Sequence, residues 1–469
     1  MVFSSVTFVP LFLPAVFLLY YFSPGIKLKN WVLLAFSLLF YAWGEPVWVF
    51  MMMLTVLVNY LCGLLIDRSE SKAAKTVYMV VGVALSLSYL FLFKYFGFFA
   101  DTVASLLGVE NPFIQPALPI GISFYTFQVI TYTVDVYRGK VGVQKSYKNL
   151  LLYVSFFPQL IAGPIVNYTD IAASLENRRA SVREVYEGFM RFFIGFAKKV
   201  LVANNCGVIC DKLIAGGELS FAGSWLMAIA YAFQIYFDFS GYSDMAIGMG
   251  HMFGFTFFEN FNYPYISRSV TEFWRRWHIS LGTFFRDYVY IPLGGNRVSA
   301  LKHIRNIMVV WLLTGFWHGA SWNFIVWGVY YGFLLLIEKF LLKKVLDKLP
   351  GIISHTVTLL LVLIGWVFFY YESLAAGLDH LGRMFGLVET ALTDPAAIYY
   401  GKHYLVFLVA AAFASVPWKA AIPKLPKKHQ RRIERNSRWL KPLVVTVLFI
   451  ISMALIVGQS YNPFLYFRF

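Results

Sequence analysis

Apolar runs of 14 to 26 residues recur along this chain, near 6–22, 31–44, 47–66, 76–99, 118–136, 189–214, 222–247, 353–371, 404–418 and 442–459. An α-helix needs roughly 20 apolar residues to cross the hydrocarbon of a bilayer. Inside lipid every backbone N–H and C=O must be satisfied within the protein, so spans of this length are helices. Composition agrees: 59% of the 469 residues are hydrophobic, 19% aromatic and 14% charged, against about 25% charged in a soluble domain. The expectation is an all-α polytopic membrane protein with about a dozen transmembrane helices and re-entrant half-helices, in one domain over 1–469. The first run, within Phe8–Phe22, lacks a charged leader and a small-residue cleavage site, and reads as a retained span.

The formal charge of +16 does not mark a nucleic-acid binder, because the basic residues cluster in short loops between apolar runs. Those loops predict orientation. Lys27 and Lys29, then Arg68, Lys72 and Lys75, then Arg138, Lys140, Lys145 and Lys148 alternate with the segment 100–117, which carries only Asp101 and Glu110. The alternation places the N-terminus outside and the basic loops in the cytoplasm. Residues 424–441, with eight Lys/Arg against Glu434, extend the same rule and place the C-terminus outside.

Two places break the alternation. Pro158, Gly163 and Pro164 interrupt the run 149–166, which predicts a re-entrant turn entered from the cytoplasmic side, with a kinked helix as the alternative. Residues 307–340 leave and return within too few positions for two full helices. Half-helices are expected there, with their tip near Thr314–Trp322. Asp238 and Asp244 flank Gly241 in an otherwise apolar run; acids at that depth pair with a cation or serve a site. The three cysteines Cys62, Cys206 and Cys210 suit buried small residues better than a disulfide framework or a metal site.

The segment 263–322 is the most basic and aromatic of the chain. Trp274, Trp277, Leu281, Phe284, Phe285 and Tyr288 recur at helical spacing, with Arg275, Arg276, Ser280, Thr283, Arg286 and Asp287 opposite them. One amphipathic helix lying along a membrane surface is predicted, with His278 at the edge of its apolar stripe. His318, in FWHGASW, sits among rings and small residues. An intramembrane histidine is either a site, because imidazole titrates near neutral pH, or a satisfied packing residue. Gly315, Gly319 and Ala320 would leave open volume beside it. The other six histidines have loop or boundary settings in sequence and no evident polar companions. No G-x-S-x-G, H-E-x-x-H or P-loop pattern competes.

NFNYPYISRSVTEFWRRWHISLGTFFRDYVYIPLGGNR followed by GFWHGASWNFIVWG resembles the membrane-bound O-acyltransferase family, in particular the branch that acetylates exported bacterial polysaccharides such as alginate. LPIGISFYTFQ, FPQLIAGPI, YFDFSGYSDMAIG and the terminal YNPFLYFRF extend the likeness over nearly the whole chain. The resemblance implies a bundle around a central tunnel in the bacterial inner membrane, with His318 and His278 as its catalytic histidines. Trp317, Gly319, Trp322, Asn323, Asp238 and Asp244 would line or support that tunnel. The donor would be a cytoplasmic thioester, acetyl-CoA or an acyl-carrier thioester, drawn by Arg275, Arg276, Arg286 and Lys302; each arginine equally suits a lipid phosphate. No bound cofactor or metal is implied. The implied partners are membrane lipids and a periplasmic SGNH-type acetyltransferase or export-complex subunits. FLYFRF also resembles the tail of a small membrane peptide in D-alanylating relatives. That places Tyr466 as an acyl relay, against the alternative of an aromatic belt at the interface. D-alanyl transfer to teichoic acid, an acyl transporter without bond-making, and an anchor for a periplasmic enzyme are the competing functions.

Overall fold

The computed structural model describes residues 1–113, 116–161, 163–342, 348–458 and 464–465, side chains at 419, 421 and 424 excepted. Every regular element among them is helical. Eight of the described helices are long and apolar enough to cross a membrane, and Phe8–Phe22 is a shorter apolar helix. The backbone divides into two compact units, Met1–Phe192 with Tyr242–Phe258, and Phe193–Gly241 with Glu259–Leu465.

The first unit is built on α1 (Leu13–Phe22), α2 (Gly25–Ala42), α3 (Trp48–Arg68), α4 (Lys72–Leu90), α5 (Phe96–Leu107) and α6 (Ile122–Tyr137). α4 and α5 run on as one apolar stretch of 36 residues, so the span expected at 76–99 extends to Leu107. Phe3, Phe8, Phe12, Phe40 and Phe157 form a ring-on-ring core in this unit, with centroids 4.9 to 6.2 Å apart in the packed pairs. The backbone break expected after Leu150 is present. α7 (Tyr147–Ser155) stops at Phe156, α8 (Phe157–Leu160) carries Pro158 in its first turn, and α9 (Tyr168–Glu176) follows. The freed groups are satisfied in the protein: the Phe157 N–H donates to Ser37 Oγ at 3.2 Å and the Gln159 amide to the Tyr153 carbonyl. α10 (Val182–Ala197) follows, and Gly188 and Gly248 lie where any Cβ would come within 2.6 Å of the other's carbonyl oxygen.

The second unit takes up the chain in α11 (Asn204–Ala215) and the first part of α12 (Phe221–Met252), and then holds everything from Glu259 to Leu465. Three expectations are corrected in it. The predicted surface helix is broken in two: α13 (Val270–Arg276) and α14 (Ile279–Phe285) are separated at Trp277 and His278. Phe273, Trp277, Leu281, Phe284 and Phe285 are buried in the protein, so the rings face a core and not an acyl boundary. Next, the predicted half-helices are α15 (Ala300–His318) and α16 (Trp322–Ile337), 19 and 16 residues long; the apolar stretch from Trp322 continues to Leu342. α15 begins at Ala300, before the start expected at 307, and Asn306 donates to the carbonyls of Leu293 and Gly295 at 3.1 and 3.0 Å, tying the glycine turn to its first turns. α17 (Gly351–Tyr370), α18 (Leu374–Met384) and α19 (Pro395–Ala414) come next. Finally, the basic run expected as a loop at 424–441 is helical from Lys427, the exposed first half of α20 (Lys427–Gly458). Its cations ride on a helix that turns apolar after Pro442.

Candidate active site

The α13–α14 break creates the His278 environment. Ser269 caps α13 by accepting the Glu272 N–H at 3.0 Å, and Glu338 accepts the Val270 N–H at 2.8 Å. The helix ends at Arg276, and His278 adopts φ +44°, ψ +54°, a left-handed conformation in which a side chain carries steric strain. Asn260 holds it there. The Ile279 N–H donates to the Asn260 carbonyl at 3.0 Å, and the Ser280 N–H and Oγ donate to Asn260 Oδ1 at 3.1 and 2.9 Å. Since the Ser280 amide can only donate, the Asn260 atom facing the imidazole is its oxygen. His278 Nδ1 lies 3.2 Å from it, so Nδ1 carries the proton and Nε2 is the basic nitrogen. The ring is 2% exposed, and burial pushes its pKa down to about 3, which keeps it neutral at physiological pH.

His318 is the last residue of α15. Gly319 follows in extended backbone, and Ser321 starts α16 two residues later. The imidazole, 3% exposed, is walled by Trp317, Trp327 and Phe369 at 4.9 to 5.0 Å between centroids and by Phe324 at 6.4 Å. The Trp317 ring also lies 5.7 Å from His278. One indole is therefore in ring contact with two imidazoles that are 40 positions apart in sequence. The expected open volume at the glycines is absent. A Cβ on Gly315 would come within 2.3 Å of the Phe324 carbonyl oxygen, and one on Gly319 within 2.2 Å of the Phe324 ring. Gly315 and Gly328 instead let α15 and α16 approach backbone to backbone.

A cavity of about 200 Å³ opens on His278, lined by Trp274, Trp277, Leu281, Gly282, Phe285, Arg286, Tyr290, Val310, Trp311 and Thr314. It suits an acyl group and the slender end of its carrier, and is too small for a nucleotide. Of the four expected cations only Arg286 lines it, and Arg286 is bonded to Asp287 at 2.7 Å. Arg276 bonds Glu272 at 2.9 Å, and Arg275 and Lys302 are exposed. A larger apolar cavity of about 440 Å³, among Ile229, Phe233, Tyr265, His355, Leu359 and Val362, touches neither site histidine.

The remaining candidates divide. Asn323 is buried and donates to the Tyr371 carbonyl, whereas Trp322 is 53% exposed. Asp238 pairs with Lys199 at 2.6 Å, and Asp244, in the first unit, pairs with Arg191 at 2.9 Å. Each acid has the cation partner that depth requires. All three cysteines are buried and free. Several histidines expected to lack companions have them, His355 among them, with Nδ1 3.0 Å from the Ser267 carbonyl oxygen. His303 Nε2 meets Tyr290 Oη at 2.8 Å and Lys339 Nζ at 2.9 Å, and His380 bridges Tyr371 Oη at 2.8 Å and the Ser224 carbonyl at 3.1 Å. Their partners arrive from other segments of the chain, which spacing along one helix cannot reveal. Asn260 went unnoticed as a site residue; its only sequence signal is its place at the head of the NFNYPY stretch. Tyr466 lies outside the described residues.

The fold and these residues define a multi-pass membrane protein with a buried, aromatic-walled pair of imidazoles. Residues 122–378 match the membrane-bound O-acyltransferase family. Over the full length of both chains, the sequence is 38% identical to the "Probable alginate O-acetylase AlgI" of Pseudomonas putida. It is 32% identical to the "Peptidoglycan O-acetyltransferase" of Helicobacter pylori, over all of this chain and 98% of that one. The "Teichoic acid D-alanyltransferase" of Bacillus subtilis is 32% identical over 48% of this chain and 60% of its own. The chain belongs to the membrane-bound O-acyltransferase family and is an acyltransferase.

Proposed function

We propose that this protein passes an acetyl group from a cytoplasmic thioester, acetyl-CoA or an acyl-carrier thioester, across the bacterial inner membrane for O-acetylation of an exported polysaccharide, alginate or a similar polymer. The observation that carries this reading is the pair of buried imidazoles in ring contact with Trp317, one of them, His278, lining a cavity of about 200 Å³. The relatives named above for alginate and peptidoglycan O-acetylation, matched over the full chain, support the polysaccharide as acceptor class.

Acyl transfer needs a base for the hydroxyl proton and donors for the oxyanion. In this reading His318 takes the proton of the attacking hydroxyl. The new C–O bond forms at the thioester carbon, the C–S bond breaks, and the thiolate leaves to be protonated. His278, neutral and aimed by Asn260, orients the donor thioester. Asn260 Nδ2 and Trp327 Nε1 are buried donors without a hydrogen-bond partner among the described residues, and suit the developing oxyanion. Arg275, Arg276, Arg286 and Lys302 form the basic approach for an anionic donor.

A strain lacking the chain should lose alkali-labile acetyl from its envelope polysaccharide and regain it on complementation. Unchanged ester content would sink the proposal, and release of D-alanine would shift it to the teichoic acid reaction. Both termini are proposed to be extracytoplasmic. Impermeant thiol reagents should then miss cysteines placed between Lys427 and Arg438 in intact spheroplasts and label one placed at Phe469; the opposite pattern refutes the topology. Tyr466 is proposed to relay the acyl group to a periplasmic SGNH-type partner. The phenol's pKa near 10 requires a base such as His318 for that attack. Tyr466→Phe, which removes only the hydroxyl, should abolish polymer acetylation at normal expression. Full activity would leave the tail an interfacial belt.

A further inference from the structure

The second unit buries one ion pair whose acid has a further task. Lys199 Nζ lies 2.6 Å from Asp238 Oδ1, and the two side chains are 4% and 2% exposed. The other carboxylate oxygen, Oδ2, accepts the backbone N–H of Leu465 at 2.7 Å, from 227 positions away. Phe464 and Leu465 are themselves buried, at 1% and 7% exposure. The Phe464 ring lies 5.6 Å from Phe239, and Phe239 lies 4.7 Å from His278 in an edge-on contact. A short terminal segment thus meets, in succession, a buried carboxylate and the ring that packs on the His278 imidazole.

We propose that the Lys199–Asp238 pair is a latch that seats the C-terminal segment against the His278 side of the site, making Asp238 a positioning residue. Isolated carboxylates are costly inside a protein, and replacing an acid and its partner by apolar residues is often neutral for folding. Here one carboxylate oxygen is spent on the cation and the other on a main-chain donor that only the tail supplies. A charge-assisted bond of this kind fixes the backbone of residue 465 irrespective of its side chain. The Phe464 ring, in edge contact with Phe239 one residue along the same helix, packs beside this bond. Lys199 lies in the π-helical turn Lys198–Ala203, and a Cβ added at Gly241 of α12 would come within 3.2 Å of the Lys199 main-chain nitrogen, so the two helices run close together here.

The latch is independent of any acyl chemistry, so its test does not depend on the proposed function. Phe464→Cys provides a reporter thiol, the three native cysteines being buried. In the full chain reconstituted in nanodiscs, maleimide labelling at 464 should be slow. Adding Leu465→Pro, which deletes the donor, should raise the labelling rate roughly tenfold or more over a Leu465→Ala control that loses the same buried side chain and keeps the N–H. The double substitution Lys199→Leu/Asp238→Leu removes the acceptor without stranding a charge and should do the same. Lys199→Gln/Asp238→Asn keeps a neutral acceptor and should restore most of the protection. Equal labelling rates in all backgrounds would overturn the latch, as would loss of protection in the Gln/Asn pair equal to that in the Leu/Leu pair at the same thermal stability.

Discussion

His318→Ala is expected to leave a membrane-inserted protein that transfers no measurable acyl group to polymer. A positioned general base contributes about 10²- to 10⁴-fold to a proton-transfer step, and loss at the upper end of that range falls below the ester background of a cell envelope. The substitution also removes a ring from among Trp317, Phe324, Trp327 and Phe369, leaving a cavity. Large-to-small changes of that kind cost about 2–5 kcal/mol. Expression and thermal unfolding must therefore be read beside activity, with His318→Gln as the comparator that fills the space without supplying an imidazole. The expected pattern is loss of activity in both variants, with a stability loss mainly in the Ala variant. Near-normal ester content in a folded His318→Ala protein would remove the base assignment. It would leave a transporter or an anchor as the function.

The His278 position should show a different signature, because backbone and side chain make separate contributions there. At φ +44° any residue with a Cβ is strained by roughly 1–2 kcal/mol relative to glycine. His278→Gly should therefore be more stable than His278→Ala by about that amount in thermal unfolding, while both lose most of their acyl transfer. If the histidine only packs, the Gly and Ala variants should retain activity in proportion to their stability. Protonation adds a second check. The folded-state pKa is pushed from 6.5 down to about 3, so the neutral ring belongs to the native state. The stability tied to it is fully present above pH 6.5 and lost progressively as pH falls toward 3. His278→Gln should be less acid-sensitive over that window than the parent.

The spans lay open in the sequence because bilayer thickness imposes a length and lipid forbids unsatisfied backbone. Runs such as 47–66 and 353–371 became Trp48–Arg68 and Gly351–Tyr370 with little change. His318 could be singled out for a related reason: a titratable ring in an apolar, aromatic setting needs an explanation from chemistry. The pairing of Asp238 and Asp244 with cations followed from the same cost of burying charge. What the sequence could not express was contact between distant segments. Periodicity over 274–288 described a smooth amphipathic helix, and it could not register that Asn260 would take the Ile279 and Ser280 amides and break that helix at His278. Gly315 and Gly319 looked like space; their meaning depended on Phe324, carried by the next helix. The basic residues from Lys427 to Lys441 looked like a loop because a charged face and a solvated loop have the same composition. The sequence by itself determined a membrane bundle and singled out His318 as a site candidate. Only tertiary structure brought one indole into contact with both imidazoles, because that arrangement rests on side chains meeting across helices, where no spacing rule along the chain applies.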